Sequence, residues 1–189
     1  KTHILKETEN NILTNYMVTE KADGQRALLY ISKTGKIYMI KGNMKIVFTG
    51  SKTTEQKCFN SLLDGEFILS GKHNKMLFLY AAFDIYYIGS RKDPHVRPMP
   101  FYPVNDILEE QQMSDTKGEV DERLEIQYRL SLLRTFVSML NVQSVTENSD
   151  SSCLFRVQVK QFIAEPNIFD ACKKLLDQKH SYEYETDGL

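Results

Sequence analysis

Two apolar runs, Tyr16-Met17-Val18 and Ala27-Leu28-Leu29-Tyr30-Ile31, flank the polar stretch Thr19-Glu20-Lys21-Ala22-Asp23-Gly24-Gln25-Arg26. An Asp-Gly pair between strand-like runs is a strong hairpin signal, because glycine accepts the positive φ that tight hairpin turns require. The spacing predicts a hairpin with Lys21 at its tip. A lysine fixed just before a turn can be aimed at an electrophile, or it can simply be solvated. To act as a nucleophile it must shed its proton, from a free pKa of about 10.4. Burial and cationic neighbours push that value down; Arg26 and a bound metal are the candidate neighbours, whereas Asp23 alone pushes it up. Arg26 also offers a planar fork of donors for a ribose or a phosphate.

The remaining pattern predicts an α+β fold, mostly antiparallel sheets with flanking helices. Short β runs at 15–21, 26–32, 36–41 and 44–49 read as a meander, followed by strands over 62–69 and 76–88. Residues 89–120, rich in Pro, Asp, Glu and Gly, read as a long surface excursion. Ile126, Leu130, Leu133, Val137 and Leu140 recur at helical spacing, so a helix is expected over 121–141 with Asp121 as its cap and Glu122 in its first turn. A strand over 155–163 follows. A second helix is expected over 167–179, capped by Asn167, with Ile168, Cys172, Leu175 and Leu176 facing inward. Residues 182–189 open another extended segment, and a chain stopping at Asp187-Gly188-Leu189 reads as cut within an element.

At 189 residues with 41% apolar content, the chain can bury a real core as one domain, 1–189. Its apolar runs are too short to span a bilayer, and the N-terminus lacks a secretory pattern. Cys58, Cys153 and Cys172 are odd in number and widely spaced, which argues for a reducing, cytoplasmic setting and against structural zinc. His3, His73, His95 and His180 are scattered among polar neighbours and read as surface residues. Net charge is −1, yet residues 1–100 carry 15 Lys+Arg against 9 Asp+Glu. A basic first half suits a polyanionic ligand such as a nucleotide or an RNA end.

Buried strands avoid acids unless something pairs with them. Here apolar runs carry Asp64 and Glu66, Asp84, and Asp187. If these strands adjoin Lys21, the acids converge into a divalent-cation site, since Mg²⁺ favours one or two carboxylates plus substrate phosphates. Each acid also has a plain structural reading: a turn for Asp64-Gly65 and Asp187, a paired acid for Asp84.

Lys21-Ala22-Asp23-Gly24-Gln25-Arg26 resembles the first motif of the covalent nucleotidyltransferases, which comprise DNA ligases, RNA ligases and mRNA capping guanylyltransferases. Leu63-Asp64-Gly65-Glu66 resembles their third motif, Phe83-Asp84-Ile85-Tyr86 the motif after it, and Thr186-Asp187-Gly188-Leu189 the fourth. The resemblance implies the nucleotidyltransferase (ATP-grasp-like) fold of these enzymes and attack of Lys21 on the α-phosphate of a nucleotide. It also implies ribose binding by Arg26 and Glu66, and base stacking by Phe83, with Tyr80 in the same strand at an undetermined register. Mg²⁺ (or Mn²⁺) would be held by Glu66 and Asp187, and Thr19 and Glu20 join the nucleotide contacts.

Two features choose guanine over adenine. Thr19 stands two residues before the lysine, where ligases commonly carry an acid, and its hydroxyl can donate to guanine O6. Thr186-Asp187-Gly188-Leu189 is the capping form of the fourth motif, and Thr19–Gly24 is similar to the capping enzymes of large cytoplasmic DNA viruses. The expected partners are GTP and an RNA 5′ end, with no membrane, in the host cytoplasm or virion. Triphosphatase and methyltransferase domains are compatible with the same parent chain. Asp23-Gly24-Gln25-Arg26-Ala27 also resembles cellular DNA ligases, so an ATP-dependent DNA or RNA ligase adenylation domain is the alternative. The family's lysine-rich fifth motif, its sixth motif and its OB domain do not appear within 1–189, and on that ground the chain is expected to be a weak enzyme.

Overall fold

The structure is a computed structural model, and it describes residues 16–102, 128–146 and 154–189. Among the described residues, nine strands and two α-helices follow in chain order: β1 (Lys21–Ala22), β2 (Gln25–Ile31), β3 (Lys36–Lys41), β4 (Ile46–Lys52), β5 (Ser61–Ser70), β6 (Met76–Ile88), α1 (Arg129–Met139), β7 (Gln143–Ser144), β8 (Arg156–Val159), α2 (Ile168–Asp177) and β9 (Thr186–Gly188). Seven strands form one sheet in the order β7-β4-β3-β2-β5-β6-β8. Every neighbour pair in it is antiparallel except β6 with β8. β1 and β9 form a separate two-stranded sheet. The mixed α/β architecture, dominated by antiparallel pairing, agrees with the α+β expectation.

Alternation along the strands gives the large sheet two faces. Successive residues of β6 divide between them: Tyr80 and Ala82 enter the main core, Leu79 and Ala81 a second cluster. The main core also takes Leu130, Leu133 and Phe136 of α1, so the helix covers that face. The second cluster joins Ile68 of β5 to Ala22 and Tyr184, which seats the small sheet on the opposite face. α2 packs Ala171 and Leu175 against Val18, just ahead of Lys21. Asn167 caps α2 as expected, its side chain accepting from the Phe169 amide at 3.1 Å. Leu176, expected to face inward, is exposed; Ala171 and Leu175 form the buried stripe. The positions Asp121, Glu122 and Ile126 of the expected first helix lie outside the described residues, as do His3 and Cys153. Among the described residues no helix is long and apolar enough to cross a membrane.

The hairpin expected at Asp23-Gly24 does not form. Lys21 opposes Gly188 and Ala22 opposes Thr186, while β2 pairs with β3 and β5. Asp23 and Gly24 instead carry the chain from the small sheet onto the large one, and the Asp23 amide donates to the Glu185 carbonyl at 3.0 Å. Gly24 is not in the positive-φ region. Its requirement is space: a Cβ there would lie 2.7 Å from Glu66 Cγ and 2.9 Å from the Phe67 carbonyl oxygen. Local turn chemistry suggested a hairpin; a partner strand at the far end of the chain took the pairing.

Gly65 is a second close-approach glycine. The Tyr80 ring crosses over it so that its hydroxyl can donate to the carbonyls of Ala27 (2.7 Å) and Leu63 (3.3 Å). A Cβ on Gly65 would meet that ring at 2.6 Å. Gly65→Ala should therefore lower unfolding free energy by about 1–3 kcal/mol, the range for overpacking, read as an earlier midpoint in urea unfolding. A midpoint equal to that of the unmutated chain would mean that the Tyr80 ring does not lie over Gly65.

Candidate functional site

Lys21 sits where β1 meets β9, and its Nζ donates to Asp187 Oδ2 at 2.5 Å. Both side chains are more than half exposed. The hydrogen bond to Asp187 raises the Lys21 pKa above its ordinary 10.5. The negative charges of Asp187, Glu66 and Asp23 add to that rise, against an opposing effect of desolvation. Asp187 moves below its usual 3.8, chiefly through the same bond. In this state the lysine is an ammonium, the reverse of the uncharged nucleophile that attack on phosphorus needs.

Arg26 opposes Glu66 across the β2–β5 pair and reaches two residues along β5 to Asp64, which opposes Leu28. The contact is a fork: Nε to Oδ1 at 3.2 Å and Nη2 to Oδ2 at 2.6 Å. The Tyr86 hydroxyl donates to the same carboxylate at 2.6 Å, and Asp64 is fully buried. The bond to Asp64 raises the Arg26 pKa further, while burial, with Asp64 next to it, raises that of Tyr86. Asp84 is occupied too, held by the Arg129 guanidinium at 2.8 and 3.1 Å where α1 begins. Of the four acids expected to converge, Asp64 and Asp84 thus have structural partners.

Of those four, Glu66 and Asp187 are left about Lys21, with Asp23 also in its field, and among the described residues no group of three or more His, Cys, Asp or Glu side chains is placed to hold a metal ion. Mg²⁺ or Mn²⁺ needs one or two carboxylates when substrate phosphates and water complete the shell, and Glu66 and Asp187 are the pair of that chemistry in the field of Lys21.

Tyr80 and Phe83 differ in burial. Tyr80 is fully enclosed in the core. Phe83 is half-buried, with the Arg26 guanidinium 5.7 Å and the Lys160 ammonium 6.0 Å from its ring centroid. Both cations lie within reach of the ring quadrupole.

Glu20 and Thr19 are placed differently from their sequence reading. Glu20 is 1% exposed. Its carboxylate accepts from the Tyr184 hydroxyl at 2.8 Å and the Thr19 hydroxyl at 3.0 Å, and lies 3.8 Å from Lys160 Nζ. Lys160 also donates to the Glu20 backbone carbonyl. The Thr19 proton is therefore directed at Glu20. Lys160 escaped the sequence reading because it continues an alternating run, Arg156-Val157-Gln158-Val159, as one more polar residue. A lysine between Val159 and Phe162 was the available hint.

The face thus carries a lysine, a forked arginine, an aromatic ring and two acids. Residues 5–119, more than half of the chain, match the family described as "mRNA capping enzyme, catalytic domain". The chain belongs to that family. A probable mRNA-capping enzyme of Acanthamoeba polyphaga mimivirus is 34% identical over 76 residues, covering 40% of this chain and 6% of that protein. The family match takes in Lys21, Arg26, Glu66 and Phe83; Lys160 and Asp187 lie beyond it.

Two outcomes follow from the charges. After ¹³C reductive methylation, the Lys21 signal should titrate above 10.5 in the metal-free chain, and Asp187→Asn should bring it back toward that value. The small stabilisation from this exposed pair is lost as pH rises through the raised Lys21 pKa, and again as pH falls through the lowered Asp187 pKa. An unchanged Lys21 titration in Asp187→Asn would contradict the pairing. Glu20→Ala strands Lys160 in a buried site and should cost about 3–5 kcal/mol, measured by denaturant unfolding; a loss within experimental error would show that the pair is not buried as described.

Proposed function

We propose that this chain is the nucleotidyltransferase domain of an mRNA guanylyltransferase, with the family's nucleotidyltransferase fold and with Lys21 as its nucleophile. The observation that carries the reading is the placement of Lys21 beside Asp187 and within the field of Glu66, on the sheet face that also presents Arg26. The Lys21 amine attacks the α-phosphate of GTP, a P–N bond forms, the bond to the β-phosphate oxygen breaks, and pyrophosphate leaves. The proton lost from the ammonium passes to solvent. In the second step the β-phosphate of an RNA 5′-diphosphate attacks the same phosphorus; the P–N bond breaks and the amine recovers a proton.

Arg26 and Glu66 hold the ribose, and the Phe83 ring stacks on the base. Glu20 acts through its neighbours, fixing Thr19 and Lys160. Glu66 and Asp187 would hold Mg²⁺ or Mn²⁺, which supplies charge neutralisation to the phosphates and to the carboxylate that keeps Lys21 protonated.

The cations beside Phe83 support GTP over ATP. With the Thr19 proton committed to Glu20, the donors beside that ring are the Arg26 guanidinium and the Lys160 ammonium, the latter buried against Glu20. An ammonium attracts guanine O6 and repels the amino group that adenine presents at the same position. The GTP and RNA 5′-end partners, the cytoplasmic setting and a longer, multidomain parent protein belong to this proposal. The ligase alternative predicts ATP in place of GTP.

Incubation with α-³²P-labelled GTP or ATP and Mg²⁺ separates these readings. The expected result is an acid-labile adduct from GTP, even if faint, that disappears in Lys21→Ala. Label from ATP alone would move the chain to the ligases, and equal label on Lys21→Ala would remove Lys21 from the chemistry.

A further inference from the structure

Past Arg26, away from Gly24 along β2, the same sheet face opens into a cavity of about 410 Å³. Leu28 and Ile40 give it an apolar wall, and Lys41 and Arg97 stand at its border. The Arg97 guanidinium lies 5.0 Å from the Tyr86 ring centroid. Tyr86 is fixed by its bond to Asp64, whose charge Arg26 already balances. Among the described residues neither Lys41 nor Arg97 has a carboxylate partner. The cavity therefore combines a guanidinium stacked on an aromatic ring, an apolar wall and two uncompensated positive charges.

That combination recognises an unpaired nucleotide carrying phosphates: bases stack on aromatic and guanidinium planes, and the cations take the phosphates. It is separate from the donor GTP site, because Lys21, Glu66, Phe83 and Asp187 do not line it; Arg26 is the residue common to both.

We propose that this cavity receives the 5′-terminal nucleotide of the acceptor RNA. The base lies against Arg97 and Tyr86, and the phosphates run along Lys41 and Arg26 toward Lys21. The inference rests on the capping reading above, since it identifies the second substrate of that reaction.

Fluorescence anisotropy with a short single-stranded RNA tests the site without turnover. The unmutated chain should bind the 5′-diphosphate form more tightly than the same RNA with a 5′-hydroxyl. Arg97→Ala and Lys41→Ala should each weaken diphosphate binding on the order of tenfold, as expected for loss of a charge-assisted contact, and leave GTP labelling of Lys21 unchanged. Lys33→Ala, a charge removed from the β2–β3 turn, should retain full preference. Equal affinity for both RNA forms, or equal losses in Lys33→Ala and Arg97→Ala, would each overturn the proposal. Absence of any GTP adduct alongside intact diphosphate preference would count against the capping chemistry and not against the RNA site.

Discussion

The pairing of β1 with β9 is the contact on which the site depends. Two residues near the start of the chain find partners near its end, and the register sets Lys21 opposite Gly188 with Asp187 beside it. Loop-closure entropy opposes so distant a contact. What offsets it is burial behind the pair: Ala22 and Tyr184 enter the cluster of Ile68, Leu79 and Ala81 on the large sheet. The Tyr184 hydroxyl also reaches the buried Glu20 carboxylate, one residue before the lysine. The small sheet is thus fastened through its neighbours, which leaves the side chains of Lys21 and Asp187 in solvent where a substrate can meet them.

Charge on this face is divided between support and chemistry. Arg26 and Tyr86 satisfy Asp64, and Arg129 satisfies Asp84, so neither acid is free for a cation. Each instead fixes a piece of the frame: Asp64 orients the Arg26 fork, and Asp84 anchors the start of α1. Glu66 and Asp187 remain. Their charges, with the Asp187 bond, raise the Lys21 pKa, so the nucleophilic role proposed for Lys21 requires that these charges be neutralised.

Much of this was legible in residue order. β3, β5 and β6 fall close to their expected spans, because their apolar runs end at turn residues. Asn167 declares the start of α2, since an Asn side chain ahead of an apolar helical stripe is a local signal with a local cause. Membership of the family was legible for a different reason, the fixed spacing of the motifs that carry Lys21, Arg26, Glu66 and Phe83, all within the matched residues. Non-local causes were hidden. Asp23-Gly24 has the composition of a hairpin, but its glycine is needed for contact with β5. The Glu20–Lys160 pair joins residues far apart in sequence, and neither position has a pattern that names the other.

The most direct measurement of the small sheet is amide hydrogen exchange at Asp23, whose N–H is bonded to Glu185, compared in the same experiment with the β5 amides. Slow exchange at Asp23, lost when Tyr184 is replaced by serine while β5 stays protected, is the predicted result. Exchange at the rate of an unstructured peptide in the unmutated chain, with β5 protected, would contradict the β1–β9 pairing and with it the placement of Lys21 at Asp187.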